Sequence, residues 1–495
     1  MATAFKPPAT QRVYDVCVIG GGVGGAAAGA LLSRRGFRVL LIDEGGASPT
    51  AADDGWLFPL GPALRRPFRA LPAAEALLID LGLATDASRS TEPLDPPLQV
   101  LGPRHRLDLS ADPAALARGL RREWPGDAAR ISAGLARLVT TAELGGALLK
   151  EAPPLPPGGL LDRWALSRAI RRAARETGLD AALLADPAPL AALGDGPLPA
   201  ALTALCGFLG RLDGPPSAFA LARMAGVALG GLHRPVAGVA SVEEGLRRRI
   251  AETRGEVLGS ASEPARIESI GIERGLPSLV RVAGSADTRL ARAFIFASPL
   301  ARLAELLPPE RRGKAVDRAL AAVRPGPALV ATHRLLRAEA RPPGLGDAAI
   351  WLEAGATPAE AVLVELSAAR RESRRGGPVE VAPGHLTATA FTLLPPGVDE
   401  AARRALLDRA LAAVLPFQER HLVHRCATPP VAHLLRFASA AAPGAGGLPV
   451  RGPWKNAFLA NGEVLPGLGL EGELFAGLQA AAHAGALLGM KGRPR

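Results

Sequence analysis

Glycines at Gly20, Gly22 and Gly25, in the run Gly20-Gly21-Gly22-Val23-Gly24-Gly25, have the spacing with which a backbone cradles a pyrophosphate. Each position makes its own demand. The first needs a tight turn, the second close approach of backbone to phosphate, and the third close packing of a helix on a strand. N–H groups opening the following helix would face the phosphates, where the helix dipole favours negative charge. Asp43 lies 23 residues past Gly20, where a carboxylate can accept hydrogen bonds from an adenosine ribose. In a chain with 57 glycines such a turn could arise incidentally, so its weight rests on what flanks it.

The flanks agree. Tyr14 to Ile19 is a short β-branched run, the small-residue segment after the turn ends at Gly36, and a second apolar run, Val39 to Ile42, stops at Asp43. Strand, turn, helix, strand and terminal acid in that order predict the βαβ unit of a dinucleotide-binding fold, for FAD or for NAD. Other reactive residues are sparse. His421, His424 and Cys426 invite a metal reading, but no CxxC pair or carboxylate frames them. Arg104-His105-Arg106 could meet an anion or form an edge-strand turn, and no Ser/His/Asp order places a nucleophile. The sequence assigns no catalytic residue, and no metal site is expected.

Two later stretches supply further elements. Ser241 can cap a helix whose third residue, Glu244, completes a capping box. Strands are expected at Gly255-Glu256-Val257-Leu258, Arg266 to Ile272, Ser278 to Val282 and Ala293 to Ala297. Near the end, Asn461-Gly462-Glu463-Val464-Leu465-Pro466-Gly467-Leu468-Gly469-Leu470-Glu471-Gly472 leads into an apolar helix. A surface turn broken by proline and glycine is the alternative reading of that run. A helix start near Leu470 would aim free N–H groups outward, and Glu463 could accept from a hydroxyl.

In order, these segments resemble the superfamily of phytoene desaturases, carotenoid isomerases and flavin amine oxidases, most closely its phytoene desaturase-like branch. The matching pieces are Asp43 with the loop Gly45-Gly46-Ala47-Ser48, the DGxxFxxGP stretch Asp54 to Pro62, the helix opening Gly238 to Leu246, the GEV strand, the run Ala293 to Pro299, and the PGxGxxG-like terminus. The match covers roughly 12–62, 236–305 and 450–490. It implies an α/β fold in which a Rossmann-like FAD-binding domain (12–100, 236–305, 451–490) is interleaved with a mixed α+β substrate domain (101–235, mainly helical, and 306–450). It implies FAD as cofactor, held by Gly20, Gly22, Gly25, Asp43, Gly61, Pro62, Pro264, Glu463, Gly467, Leu470 and Gly472, with Glu463 on a ribityl hydroxyl. Two departures stand out: no arginine follows Gly45-Gly46, and Pro264 takes the place of the residue that meets adenine through its backbone, although proline has no N–H.

The amine-oxidase branch places a lysine on a strand after the helix following Lys314 and flanks its flavin with aromatic rings. Here no lysine lies between Lys314 and Lys455, and the sole tyrosine, Tyr14, is in the first strand. The resemblance therefore implies an apolar, carotenoid- or isoprenoid-like substrate giving a hydride to the flavin. A non-redox binding protein of the prenyl-escort kind is the alternative, and an amine oxidase the least favoured reading.

Composition sets outer limits. Hydrophobic residues at 48% and charged residues at 21% exclude a disordered or coiled-coil chain. The net charge of +11 comes from arginines spread along the chain, so no nucleic-acid partner is expected. Three scattered cysteines and an N-terminus without a signal pattern suggest a reducing, cytoplasmic setting. Helices are expected from Asp112-Pro113, from Ala165 to Thr177 closed by Gly178, and from Asp399 to Val414, with strands at Leu363 to Leu366 and Leu386 to Leu393. Leu198 to Leu209 and Ala218 to Leu229, nearly all apolar, could line a tunnel, make peripheral membrane contact, or be core helices.

Overall fold

The computed structural model describes residues 11–45, 50–236, 239–260, 263–285, 287–307, 309–372, 379–437 and 447–489. Gly46 to Ser48 and Gly238 lie outside the described residues. Two sheets organise the chain. The first is seven-stranded, with β1 (Gln11–Ile19) and β2 (Val39–Ile42) at its centre and the helix α1 (Val23–Arg34) between them in sequence. Beyond β2 it adds Glu256–Leu258, and on the other side of β1 it adds Thr288–Phe296. All of these pairings are parallel. Thr288–Phe296 is shared along its length. Its first half pairs with the hairpin strand Leu276–Val282, and its second half, from Phe294 to Phe296, runs parallel to Ala457–Leu459 near the far end of the chain.

The parallel strands are buried on both faces, which is why Val39–Ile42 and Phe294 to Phe296 read as continuous apolar runs rather than alternating ones. One face of this sheet is covered by α1, on which the C-terminal helix Gly469–Leu487 and the helix Val242–Glu252 both pack. Ser241 and Glu244 close the expected capping box on the latter helix.

The second sheet has nine strands. Its main path runs Leu422–Ala432, Ala328–Arg337, Glu380–Leu394, Val362–Arg371, Ala348–Trp351, Leu98–Gly102, His105–Leu109. Thr50–Asp53 and Trp56–Pro59 join it as well, because Trp56 and Leu57 pair with Arg371 and Arg370. The stretch just after β2 thus crosses from one sheet to the other. Expected helices form at Pro113–Glu123, capped by Asp112, at Leu160–Thr177, ended by Gly178 with φ of 70°, and at Glu400–Val414, capped by Asp399.

The helices Pro197–Phe208 and Ala218–Gly230 pack against each other and fill the core behind the nine-stranded sheet. Their apolar side chains lie mostly inside the protein, which is the core-helix reading of the two segments. No helix among the described residues is long and apolar enough to cross a membrane.

Candidate functional site

The carboxyl ends of the parallel strands are stitched together by backbone bonds. Gly20 N–H donates to Ile42 (2.8 Å), Ala297 N–H to Ile19 (2.7 Å), Ala460 N–H to Phe296 (2.8 Å) and Asp43 N–H to Leu258 (2.8 Å). The glycine turn, the acid after β2 and the segment beginning at Asn461 therefore stand side by side, at the strand ends where open α/β sheets bind ligands.

Gly20 takes φ of +106°, and a Cβ there would come within 2.6 Å of the Ser298 nitrogen. Gly25 is likewise pressed against the Gly20 carbonyl, whereas around Gly22, the N-cap of α1, the space is open. No side chain caps that helix start, so its first-turn N–H groups are left for a ligand. Behind the turn, α1 and the C-terminal helix meet backbone to backbone, since a Cβ on Gly477 would lie 2.2 Å from the Gly24 carbonyl oxygen.

Asp43 is buried, accepting from Gly45 N–H (3.1 Å) through Oδ1. Its Oδ2 lies 3.2 Å from the guanidinium of Arg247, which also donates to the Gly21 carbonyl (2.6 Å). Arg247 comes from the Val242–Glu252 helix; at the start of the same helix Glu243 pairs with Arg65 (3.2 Å). The Pro264 ring abuts Gly45, and the next residue, Ala265, donates its N–H to the Asp43 carbonyl (2.9 Å).

Glu463 is 3% exposed. Its Oε2 accepts from Leu300 N–H (2.9 Å) and from the Asn461 amide (3.1 Å), and Asn461 also donates to the Ser298 carbonyl (2.8 Å). Burial pushes the Glu463 carboxyl up from the usual range, opposed by those two donors. Gly467, at φ of +90°, donates its N–H to the Gly210 carbonyl (2.8 Å), locking the terminal turn against the end of the Pro197–Phe208 helix. Leu470 and Gly472 fall in the first turn of the C-terminal helix, which begins at Gly469. Gly61 and Pro62 are half-buried in the loop after Trp56–Pro59. They are tied to the second sheet, where Ala63 N–H donates to Glu365 (3.0 Å), and to the Val242–Glu252 helix through Arg65.

Three buried polar features escape sequence reasoning. Glu365, from the strand Val362–Arg371, is buried with Oε1 unpartnered, and desolvation raises its pKa to about 7 despite the N–H groups of Ala63 and Leu64. A lone acid inside the run Val362-Leu363-Val364-Glu365-Leu366 was the available signal. Arg223, 2% exposed, forms a two-pronged pair with Glu471, with Nε to Oε2 at 2.9 Å, and donates to the Ala142 carbonyl (2.6 Å). Its signal was an arginine in an otherwise apolar helix. Nearby, burial and the adjacent Arg223 lower the Arg66 pKa to about 10. The third feature, Arg247 against Asp43, gave no signal, because nothing local marks one arginine among three in a row.

His424 bonds Asp53 (2.9 Å) and Cys426 is buried in the sheet; among the described residues no three His, Cys, Asp or Glu side chains gather to hold a metal. Arg104 lies in the turn between Leu98–Gly102 and His105–Leu109, and the His105 ring stacks on Trp124 at 5.2 Å.

Comparison with known proteins agrees with this architecture. The family model of the NAD(P)-binding Rossmann-like domain matches residues 18–81. All-trans-retinol 13,14-reductases of Homo sapiens and Macaca fascicularis are each 30% identical over 174 residues. The aligned part is 33% of this chain and 28% of theirs, so the chain matches little more than a quarter of the length of those relatives. Among solved structures, wild-type putrescine oxidase bound to putrescine superposes with a TM-score of 0.58 at 15% identity, covering 96% of this chain and 100% of that one. Cyclohexylamine oxidase from Brevibacterium oxydans gives 0.54 at 14%, covering 96% and 100%. Rab GDI from Plasmodium falciparum gives 0.51 at 11%, covering 97% and 99%. At such identities the likeness is one of fold: a mixed α/β protein built on a Rossmann-like dinucleotide-binding domain.

Proposed function

We propose that the chain is an FAD-dependent oxidoreductase acting on an apolar substrate. One observation carries this reading: the Gly20–Gly25 turn, Asp43 and the segment from Asn461 to Gly472 come from distant parts of the chain and meet at one sheet end. The residues fit the cofactor. Open space at Gly22 before an uncapped helix suits a pyrophosphate, and a buried carboxylate at Asp43 suits a ribose.

Gly20, Gly22 and Gly25 would hold the phosphates, Asp43 the ribose, and Pro264, through its carbonyl alone, the adenine. Glu463 would accept from the ribityl chain, while Gly61, Pro62, Gly467, Leu470 and Gly472 would bound the ring. FAD supplies the two-electron acceptor for a substrate hydride. The chain's own part is to orient, exclude water and set the field. The N-terminus of the C-terminal helix favours negative charge beside it, and Arg247 places a cation at the turn where the loop after Gly45 lacks one.

An apolar substrate is supported by the absence of lysine between Lys314 and Lys455. It is supported too by the Tyr14 hydroxyl being bonded to Glu256 within the first sheet, and by similarity to proteins named for all-trans-retinol. A second reading, a non-redox binding protein on this scaffold, is favoured by Arg247 lying on Asp43 and by the missing Pro264 N–H.

The test is a visible absorption spectrum of the purified chain with and without added FAD. A flavin spectrum that bleaches on reduction, and is lost in Gly22→Val, supports the oxidoreductase reading. A chain that stays colourless after FAD is added overturns it in favour of the second.

A further inference from the structure

The helix Leu160–Thr177 carries a feature that neither the fold nor the cofactor site uses. Its inner face is Leu166, Ala169 and Ala173. On the outer face, Leu160 and Leu161 are each 83% exposed and Trp164 61% exposed. At 100° per residue Leu160 and Trp164 lie within a narrow sector, and Arg168, Arg171 and Arg175 continue it toward the C-terminus. Arg163 flanks this sector. Three large apolar side chains so exposed at one helix end would cost solubility unless something covers them.

Charge indicates the partner. Arg172 pairs with Glu151 (2.8 Å) and Lys150 with Glu176 (4.0 Å), but Arg163, Arg168, Arg171 and Arg175 form no ion pair among the described residues. The helix's other carboxylate, Asp162, accepts from Gly158 N–H (3.0 Å) at the helix start. Arg168 lies over the Trp164 ring, 5.8 Å from its centroid. Beside Leu160 and Leu161 opens a cavity of about 600 Å³ walled by Pro154, Leu155 and Pro156.

We propose that this face docks the protein on an anionic lipid surface. Leu160, Leu161 and Trp164 enter the boundary between headgroups and acyl chains, and Arg163, Arg168, Arg171 and Arg175 sit on lipid phosphates. This pairing of a tryptophan–leucine tip with an arginine face is how an amphipathic helix lies in a membrane interface. The assignment is independent of FAD. It places membrane contact on this helix and not on Pro197–Phe208 or Ala218–Gly230, which are buried.

The experiment is co-sedimentation of the full chain with phosphatidylcholine vesicles, with and without phosphatidylglycerol, across a salt series. Binding is expected to require phosphatidylglycerol and to fade with salt. The triple variant Leu160→Ser, Leu161→Ser, Trp164→Ser should bind about tenfold or more weakly. Arg168→Gln, Arg171→Gln, Arg175→Gln together should weaken binding about a hundredfold. All six side chains are exposed, so unchanged melting midpoints would show that the variants fold. Absence of wild-type binding, or equal binding by folded variants, overturns the proposal. So does a wild-type dimer that the serine variant converts to monomer without loss of vesicle binding, since the face would then join two copies of the chain.

Discussion

The two sheets hold their buried polar groups in different ways. At the seven-stranded sheet much of the site is backbone: N–H groups at the start of α1, which no side chain caps and where Gly20, Gly24 and Gly25 are packed too closely for a Cβ, with the carboxylates of Asp43 and Glu463 buried beside them. Around the nine-stranded sheet and its helices the polar groups are buried side chains: Glu365, with one oxygen unpartnered, and Arg223, which reaches across to Glu471 on the C-terminal helix. Backbone donors at a helix end stay partly solvated and cost little to present. A buried side-chain charge must be compensated by a specific partner far away in sequence. The first arrangement tolerates an empty site, while the second makes stability depend on each partner.

Breaking the second arrangement should give the largest effect. Arg223→Met leaves Glu471 buried without its partner and should lower stability by about 3–5 kcal/mol in denaturant unfolding. The double variant Arg223→Met, Glu471→Leu should recover most of that loss. If it does not, the pair shapes the C-terminal helix start by more than charge.

Glu365 gives the next effect, with a defined sign. Its carboxyl pKa is raised from 4.5 to about 7 in the folded chain. Between those values the folded state holds a proton that the unfolded state has lost, so stability falls as pH rises and the penalty is complete above pH 7. Glu365→Gln should therefore leave stability near pH 4.5 almost unchanged and raise it by about 3 kcal/mol at pH 8, read from paired unfolding curves.

Substitutions at the glycine turn and in the helix behind it should divide by direction. Gly477→Val drives a side chain into the Gly24 backbone and should cost about 1–3 kcal/mol or more in thermal stability. Gly22→Ala, with φ of −60° and open space around it, should leave the melting midpoint in place while weakening FAD binding in a fluorescence titration. Arg247→Ala sharpens the contrast further. If the guanidinium serves the phosphates, FAD affinity drops about tenfold; a rise in affinity would show that it competes for Asp43. The smallest effect is expected at Ser241→Ala, which removes half of a capping box and should cost about 1 kcal/mol.

Much of this was legible from short windows. The order of β1, turn, α1, β2 and Asp43, the caps at Asp112, Ser241 and Asp399, and the stop at Gly178 each follow from a handful of neighbouring residues. Leu198 to Leu209 and Ala218 to Leu229 were legible as helices but not as core, because an apolar helix looks the same against lipid, ligand or protein. The outward turn of Leu160, Leu161 and Trp164 was hidden for the converse reason: which side of a helix is left over depends on what packs against the other.

The sequence by itself determined the elements whose causes are local, namely backbone conformation at glycine and proline, capping hydrogen bonds and apolar period. Tertiary structure alone decided which partners met across the chain. Arg223 finds Glu471 248 residues away, Arg247 reaches the Gly21 carbonyl across 226, and Glu365 receives the Ala63 N–H across 302. Each of these contacts depends on two separately folded elements arriving in register. No local propensity encodes that coincidence, because the free energy that selects it comes from burying the surfaces of both elements together.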